Sequence, residues 1–258
     1  LEDAVAISEK AAARECVVEA FSARPHSGTQ YYVRVNSLDT PYCEDDIKAT
    51  VGPWLHGVVL PKVESGSCLN RAEQWLAAAE AACGMPVGQL DLMPIIETAA
   101  GVESAKEIAT TNSRIRRMAF GGGDYTLDLN YEWNADEAVL AYARSKLSHA
   151  GRLGNLEPPI DTVVLQIRDD DRFVESARYG KQFGFGGKLC IHPSQVPLTH
   201  DVFTPSAEEI AHARAVVAAF EEAEAAGMAS IQLDGYFIDY PIVYKSQRIL
   251  ALAEKLQA

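Results

Sequence analysis

An α/β fold on parallel strands, in the form of a (β/α)₈ barrel, is predicted by three features of this 258-residue chain. Short apolar runs alternate with longer Ala/Glu-rich amphipathic stretches, which is the rhythm of repeated βα units. The runs recur at intervals close to the roughly 30 residues such a barrel spends on each unit. No glycine-rich nucleotide turn follows the first run, as it would in a doubly wound open sheet.

The apolar runs place strands at 31–35, 57–63, 92–96, 118–121, 160–165 and 188–191. The amphipathic stretches between them place helices at 44–51, 68–82, 101–110, 135–150 and 171–183. Leu1-Glu2-Asp3-Ala4-Val5 reads as the last turn of a strand with nothing before it, so the first strand and most of a second are expected to be absent from this sequence. Beyond the sixth run, 206–226 is a strong Ala/Glu helix and 242–256 a final one. That tail exceeds what closing a barrel requires, and extra segments of this kind serve as lids or subunit contacts. The expected organisation is a barrel domain over 1–204 and a C-terminal helical lid extension over 205–258.

With 48% apolar and 23% charged residues, the chain can bury one sizeable core. Its net charge of −13 argues against nucleic acid and anionic membrane as partners, because both require a basic surface. Five dispersed cysteines without a CxxC pair suggest reduced thiols in a cytoplasmic protein. No apolar run is long enough to span a bilayer. Walker, GxGxxG, GxSxG and HExxH patterns are all missing, and the six histidines are scattered. The triplet Asp169-Asp170-Asp171 reads as a solvated helix start, since acids favour helix N-termini.

In a parallel barrel the strand ends and the loops after them share one face, where chemistry is done. Glu97 closes the run Leu92-Met93-Pro94-Ile95-Ile96, and Asp124 follows Phe120-Gly121-Gly122-Gly123. They are one βα unit apart and belong on neighbouring strands. Two adjacent carboxylates repel unless a cation or proton lies between them, and Mg²⁺ accepts one or two carboxylates together with water and substrate oxygens. The alternative is structural: Asp124 caps the next segment and Glu97 pairs with a surface lysine. Arg34, inside Tyr31-Tyr32-Val33-Arg34-Val35, is costly in a strand unless paired. It either grips a substrate carboxylate through two hydrogen bonds or forms an internal salt bridge with Glu2, Asp3 or Glu97. Glu2 and Asp3 either balance that arginine or hold metal-bound water.

Together these segments resemble the citrate lyase β-subunit-like proteins of the HpcH/HpaI aldolase superfamily. The resemblance runs in order through Leu1–Val5, Arg34-Val35-Asn36, Leu60-Pro61-Lys62-Val63-Glu64, Ile96-Glu97-Thr98-Ala99, Gly121-Gly122-Gly123-Asp124-Tyr125, Gly187-Lys188-Leu189-Cys190-Ile191-His192-Pro193 and Asp234-Gly235-Tyr236-Phe237-Ile238-Asp239. It implies a TIM barrel that cleaves or forms malyl-CoA, citramalyl-CoA or citryl thioesters. It also implies Mg²⁺ held by Glu97 and Asp124, and Arg34 on the α-keto-acid carboxylate. Asp239 matches an acid on a C-terminal lid that reaches a neighbouring subunit's site, which implies a homotrimer or homohexamer acting on an acyl-CoA and a small α-keto acid. A malyl-CoA thioesterase or malate synthase-type enzyme, a citryl-carrier-protein lyase subunit and a non-catalytic CoA-binding subunit are the other readings. The family's first strand, thought to help bind CoA, is missing from this sequence. Without the resemblance, Asp239 reads as a turn residue before Pro241.

Overall fold

The computed structural model describes residues 1–23, 28–111 and 114–257. The chain forms two compact units, 1–195 and 196–258.

The first unit is a six-stranded parallel sheet in strict chain order, β1 (Tyr32–Arg34), β2 (Gly57–Leu60), β3 (Asp91–Ile96), β4 (Ala119–Phe120), β5 (Ile160–Asp161) and β6 (Gly187–Lys188). Each expected strand is present, though all but β3 are shorter than their apolar runs. β2 and β3 are buried along nearly their whole length, as strands covered on both faces must be. Among the described residues no ladder joins β1 to β6, so the sheet is a parallel half-barrel. One face carries Val59, Ile95 and Ala119, with Met93 packed against them. The larger core lies between sheet and helices, where Ile47, Leu60, Leu69, Leu76, Leu92 and Phe120 are fully enclosed.

Helices α1 (Lys10–Ser22), α2 (Cys43–Thr50), α3 (Gly66–Ala82), α4 (Ala99–Glu103), α5 (Ala105–Thr111), α6 (Gly122–Asp128), α7 (Ala141–Leu153) and α8 (Asp170–Gln182) connect and cover these strands. The single helix expected over 101–110 is broken at Ser104, which caps α4. The one expected over 135–150 starts late, because Glu137 adopts a left-handed conformation (φ 52°) and a 3₁₀ turn intervenes. Asp169 does begin a helix: its side chain accepts the Arg172 amide. Residues 1–5 are a turn rather than a strand end, closed by the Val5 amide on the Glu2 carbonyl at 3.0 Å.

Behind β5 and β6 lies a buried ionic network. Asp161 takes two hydrogen bonds from Arg144, each 2.9 Å, and one from Lys188 at 3.1 Å. Arg144 also reaches Glu137 at 2.6 Å, and Lys188 reaches Ser176 at 2.8 Å. Burial lowers the Lys188 pKa, although Asp161 and Glu137 favour its charge.

The second unit contains most of α9 (Gln195–Phe203), then α10 (Ala207–Ala225), the antiparallel strands β7 (Ile231–Leu233) and β8 (Tyr236–Ile238), and α11 (Tyr240–Gln257). The division falls nine residues earlier than the expected 204/205. Gln195, the last residue of the first unit, is held there by its side chain, which accepts the Ile191 amide and donates to the Val164 carbonyl. The extension is also not purely helical. Asp234 (φ 49°) and Gly235 (φ 82°) make a left-handed two-residue turn that pairs β7 with β8. Val216, Phe220, Ile238 and Val243 form the core of this unit. Ser206 and Glu209 form a capping box at the start of α10. Among the described residues no helix is long and apolar enough to cross a membrane.

Candidate active site

The C-terminal ends of β1 to β4 bring four of the sequence-selected side chains together, around one lysine that the sequence reading assigned no role. Glu97 follows β3 directly and is buried, with 5% of its surface exposed. Its Oε1 accepts the Lys62 backbone amide at 2.8 Å. Gly121 makes room for it: a Cβ there would lie 2.1 Å from Glu97 Oε2 and 2.6 Å from its Cβ. Burial pushes the Glu97 carboxyl up to about 7, and the charges of Asp124 and Glu2 add to that shift. The Lys62 amide and ammonium act in the opposite direction.

Asp124 lies in the first turn of α6, not at a cap. The helix is anchored at its first residue, where the Gly122 amide donates to Thr162 Oγ1 at 2.8 Å. A Cβ on Gly122 would meet that same threonine. Thr162 is buried and follows β5. Asp128, at the other end of α6, accepts the Ala99 amide at 2.7 Å, tying α6 to the start of α4.

Lys62 joins these parts. Its Nζ is 3.4 Å from Asp124 Oδ1 and 4.0 Å from Glu2 Oε1. Its backbone is left-handed at φ 53°, a conformation L residues avoid. Burial disfavours the ammonium, but the carboxylates of Asp124, Asp3 and Glu2 outweigh that effect and hold its pKa above the ordinary lysine range. In the sequence Lys62 is masked by the apolar run over 57–63; the strand itself stops at Leu60, two residues before it.

Arg34 ends β1, half exposed, with its Nε 3.2 Å from Glu2 Oε2. The internal ion pair weighed from sequence is therefore made, with Glu2 as the partner. The Arg34 side chain is 45% exposed, so its guanidinium can also meet an anion from solvent. Glu2 is buried and fixed by its main chain: the Lys10 ammonium reaches the Glu2 carbonyl at 2.9 Å and the Leu1 carbonyl at 2.7 Å. Asn36 also donates to the Leu1 carbonyl, at 3.0 Å. Asp3 is exposed on the turn. Asp239 belongs to the second unit, between β8 and α11, where its carbonyl accepts the Ile242 and Val243 amides.

Chemically the cluster is a set of hard oxygen donors. Among the described residues no three His, Cys, Asp or Glu side chains form a ready cage for a metal ion. Glu97 and Asp124 offer two carboxylates and leave the remaining positions to water or substrate, the arrangement Mg²⁺ favours. The cradle at Gly121 and the mutual charge repulsion felt at Glu97 both fit a cation placed between these groups.

Comparison with known proteins gives a consistent picture. The sequence profile of the HpcH/HpaI aldolase/citrate lyase family matches residues 1–193. The citrate lyase subunit beta of Leuconostoc mesenteroides subsp. cremoris is 37% identical over 98% of this chain and 83% of its own length. An L-malyl-CoA/beta-methylmalyl-CoA lyase of Cereibacter sphaeroides is 30% identical over all of this chain and 87% of its own. The crystal structure of CitE from Mycobacterium tuberculosis in complex with magnesium, acetoacetate and coenzyme A superposes with a TM-score of 0.79 at 27% identity, covering 98% of this chain and 88% of that one.

Proposed function

Because this chain belongs to the HpcH/HpaI aldolase/citrate lyase family, we propose that it is a magnesium-dependent carbon–carbon lyase. In this reading it cleaves a β-hydroxyacyl-CoA, such as malyl-CoA or citramalyl-CoA, into an acyl-CoA and an α-keto acid, or joins them in reverse. The observation that carries the proposal is the buried Glu97 carboxyl, raised to about 7 beside Asp124 at the ends of two adjacent strands. Relatives named as a citrate lyase subunit and a malyl-CoA lyase, and a neighbour solved with magnesium and coenzyme A, support the same chemistry.

Glu97 and Asp124 would hold the ion, with Glu2 and Asp3 as supports beyond them. When bound, Mg²⁺ supplies Lewis acidity that lowers the pKa of the substrate hydroxyl. Arg34 binds the substrate carboxylate through its exposed guanidinium, and its tie to Glu2 fixes the direction of approach. As the hydroxyl proton leaves to solvent, the carbon–oxygen bond becomes the keto group. The carbon–carbon electron pair passes to the thioester as an enolate. Asp239 donates a proton to that enolate carbon in cleavage and removes it in condensation. By the resemblance, Asp239 arrives from a neighbouring copy, so the working assembly is a homotrimer or homohexamer. A citryl-carrier subunit is the second reading, favoured by the citrate lyase subunit beta relative at 37% identity.

The test incubates the purified protein and Mg²⁺ with malyl-, methylmalyl-, citramalyl- and citryl-CoA, with and without EDTA, following keto acid and free thiol separately. EDTA-sensitive keto-acid release establishes the lyase and its substrate. Thiol without keto acid refutes it in favour of a thioesterase. Inactivity on every CoA ester, with turnover restored by a citryl carrier protein, selects the subunit reading. CoA binding without any turnover leaves only a non-catalytic role.

A further inference from the structure

We infer that Lys62 is a built-in counter-cation of the carboxylate site, whose ammonium holds Asp124 while the site is metal-free and gives way when a divalent cation arrives. The inference rests on the metal reading above and adds a role for a residue outside it.

Lys62 makes two kinds of contact that can be separated. Its backbone amide holds Glu97 Oε1 at 2.8 Å and stays in place whatever the side chain does. Its ammonium is 3.4 Å from Asp124 and 4.0 Å from Glu2. Three carboxylates, Glu2, Glu97 and Asp124, share this mouth, and Arg34 is committed to Glu2. Lys62 is therefore the cation that offsets Asp124. An ion held by Asp124 and Glu97 would bring a second, larger positive charge within a few ångström of that ammonium, and the two repel. The lysine can yield. Its side chain is 38% exposed, and a flexible four-carbon stem can turn its point charge out to water. A guanidinium fork or a fully buried lysine could not leave as easily. The backbone tie keeps Glu97 in place while the side chain moves, so one residue both positions one ligand and guards the other.

Equilibrium dialysis against Mg²⁺ alone, with bound metal measured by atomic absorption, tests this on wild type, Lys62→Met, Lys62→Arg and Glu97→Gln. Removing the competing ammonium, 3.4 Å from Asp124, should tighten Mg²⁺ binding about tenfold in Lys62→Met. Lys62→Arg, whose fork leaves less easily, should bind Mg²⁺ more weakly than wild type, and Glu97→Gln should lose the ion. A purely structural lysine would not produce tighter binding when removed. Unchanged or weaker binding by Lys62→Met, while wild type binds and Glu97→Gln does not, overturns the counter-cation role and leaves the metal site standing. If wild type itself retains no Mg²⁺, the metal reading fails and this inference fails with it. Circular dichroism checks folding. Should Lys62→Met not fold, Lys62→Gln removes the same charge and is read by the same criterion.

Discussion

Replacing Glu97 by glutamine should make the metal-free protein more stable at pH 8 while abolishing its turnover. A carboxyl raised from 4.5 to about 7 by burial, and then by Asp124 and Glu2, is more easily protonated in the folded chain than in the unfolded one. Relative to high pH, it contributes stability that is fully present below pH 4.5 and lost as pH rises through 7. At pH 8 the ionised side chain therefore costs the fold about 3 kcal/mol. With only 5% of the residue exposed, solvent screens little of this. Glutamine has the same shape, keeps an oxygen for the Lys62 amide and carries no charge. The expected gain is about 2–3 kcal/mol at pH 8 in EDTA, shrinking towards zero near pH 5. Urea unfolding followed by tryptophan fluorescence measures it. Trp54, Trp75 and Trp133 all belong to the 1–195 unit, so the signal reports on the unit that holds the site. Equal stability of the two proteins at pH 8 would refute the view that Glu97 is held ionised against its surroundings.

Two further outcomes follow from packing. Gly121→Ala places a Cβ 2.1 Å from Glu97 Oε2 and forces the carboxylate aside; Mg²⁺-dependent turnover should vanish at a stability cost of about 1–3 kcal/mol, and normal turnover would contradict the geometry. Asp161→Ala strips Arg144 and Lys188 of their shared buried partner; the fluorescence-detected stability should fall by about 3–5 kcal/mol, and a loss below 1 kcal/mol would show the network to be dispensable.

All six strands were legible because each is an apolar run bounded by helix, the simplest pattern a parallel sheet can write. The helices most exposed in the sequence as amphipathic repeats were legible too. Three were not. α1 buries only Lys10 fully, and its larger apolar residues, Val17, Val18 and Phe21, are confined to its second half, so its core-facing stripe is short. α6 begins Gly-Gly-Asp, which reads as a turn, and its helical form depends on Thr162 from another strand. α9 contains Pro197 in its first turn, where proline is tolerated but looks like a break. The β7–β8 hairpin carried a local signal, Asp234-Gly235 between apolar residues, that was outweighed by the helices on either side.

The site divides along the same line. Glu97 and Asp124 were readable from position alone, since strand ends in a parallel sheet point to one face. Arg34 was readable as a residue in need of a partner, but which partner it takes depends on Lys10 and Asn36 clasping the main chain beside Glu2. Lys62 was hidden inside an apolar run that was taken to continue to residue 63. The strand stops at Leu60, and the next turn aims the lysine into the site.

The backbone at Lys62 has a consequence for how this protein would respond to selection. Its φ of 53° suits glycine, and a side chain there is held against a local strain of about 1–2 kcal/mol. Nothing in the packing of the fold asks for lysine at this point; the carboxylates around it do. A lineage screened only for heat resistance could relieve that strain at position 62, and the gain would be taken from the candidate site. Stability engineering of this barrel should therefore leave that turn alone.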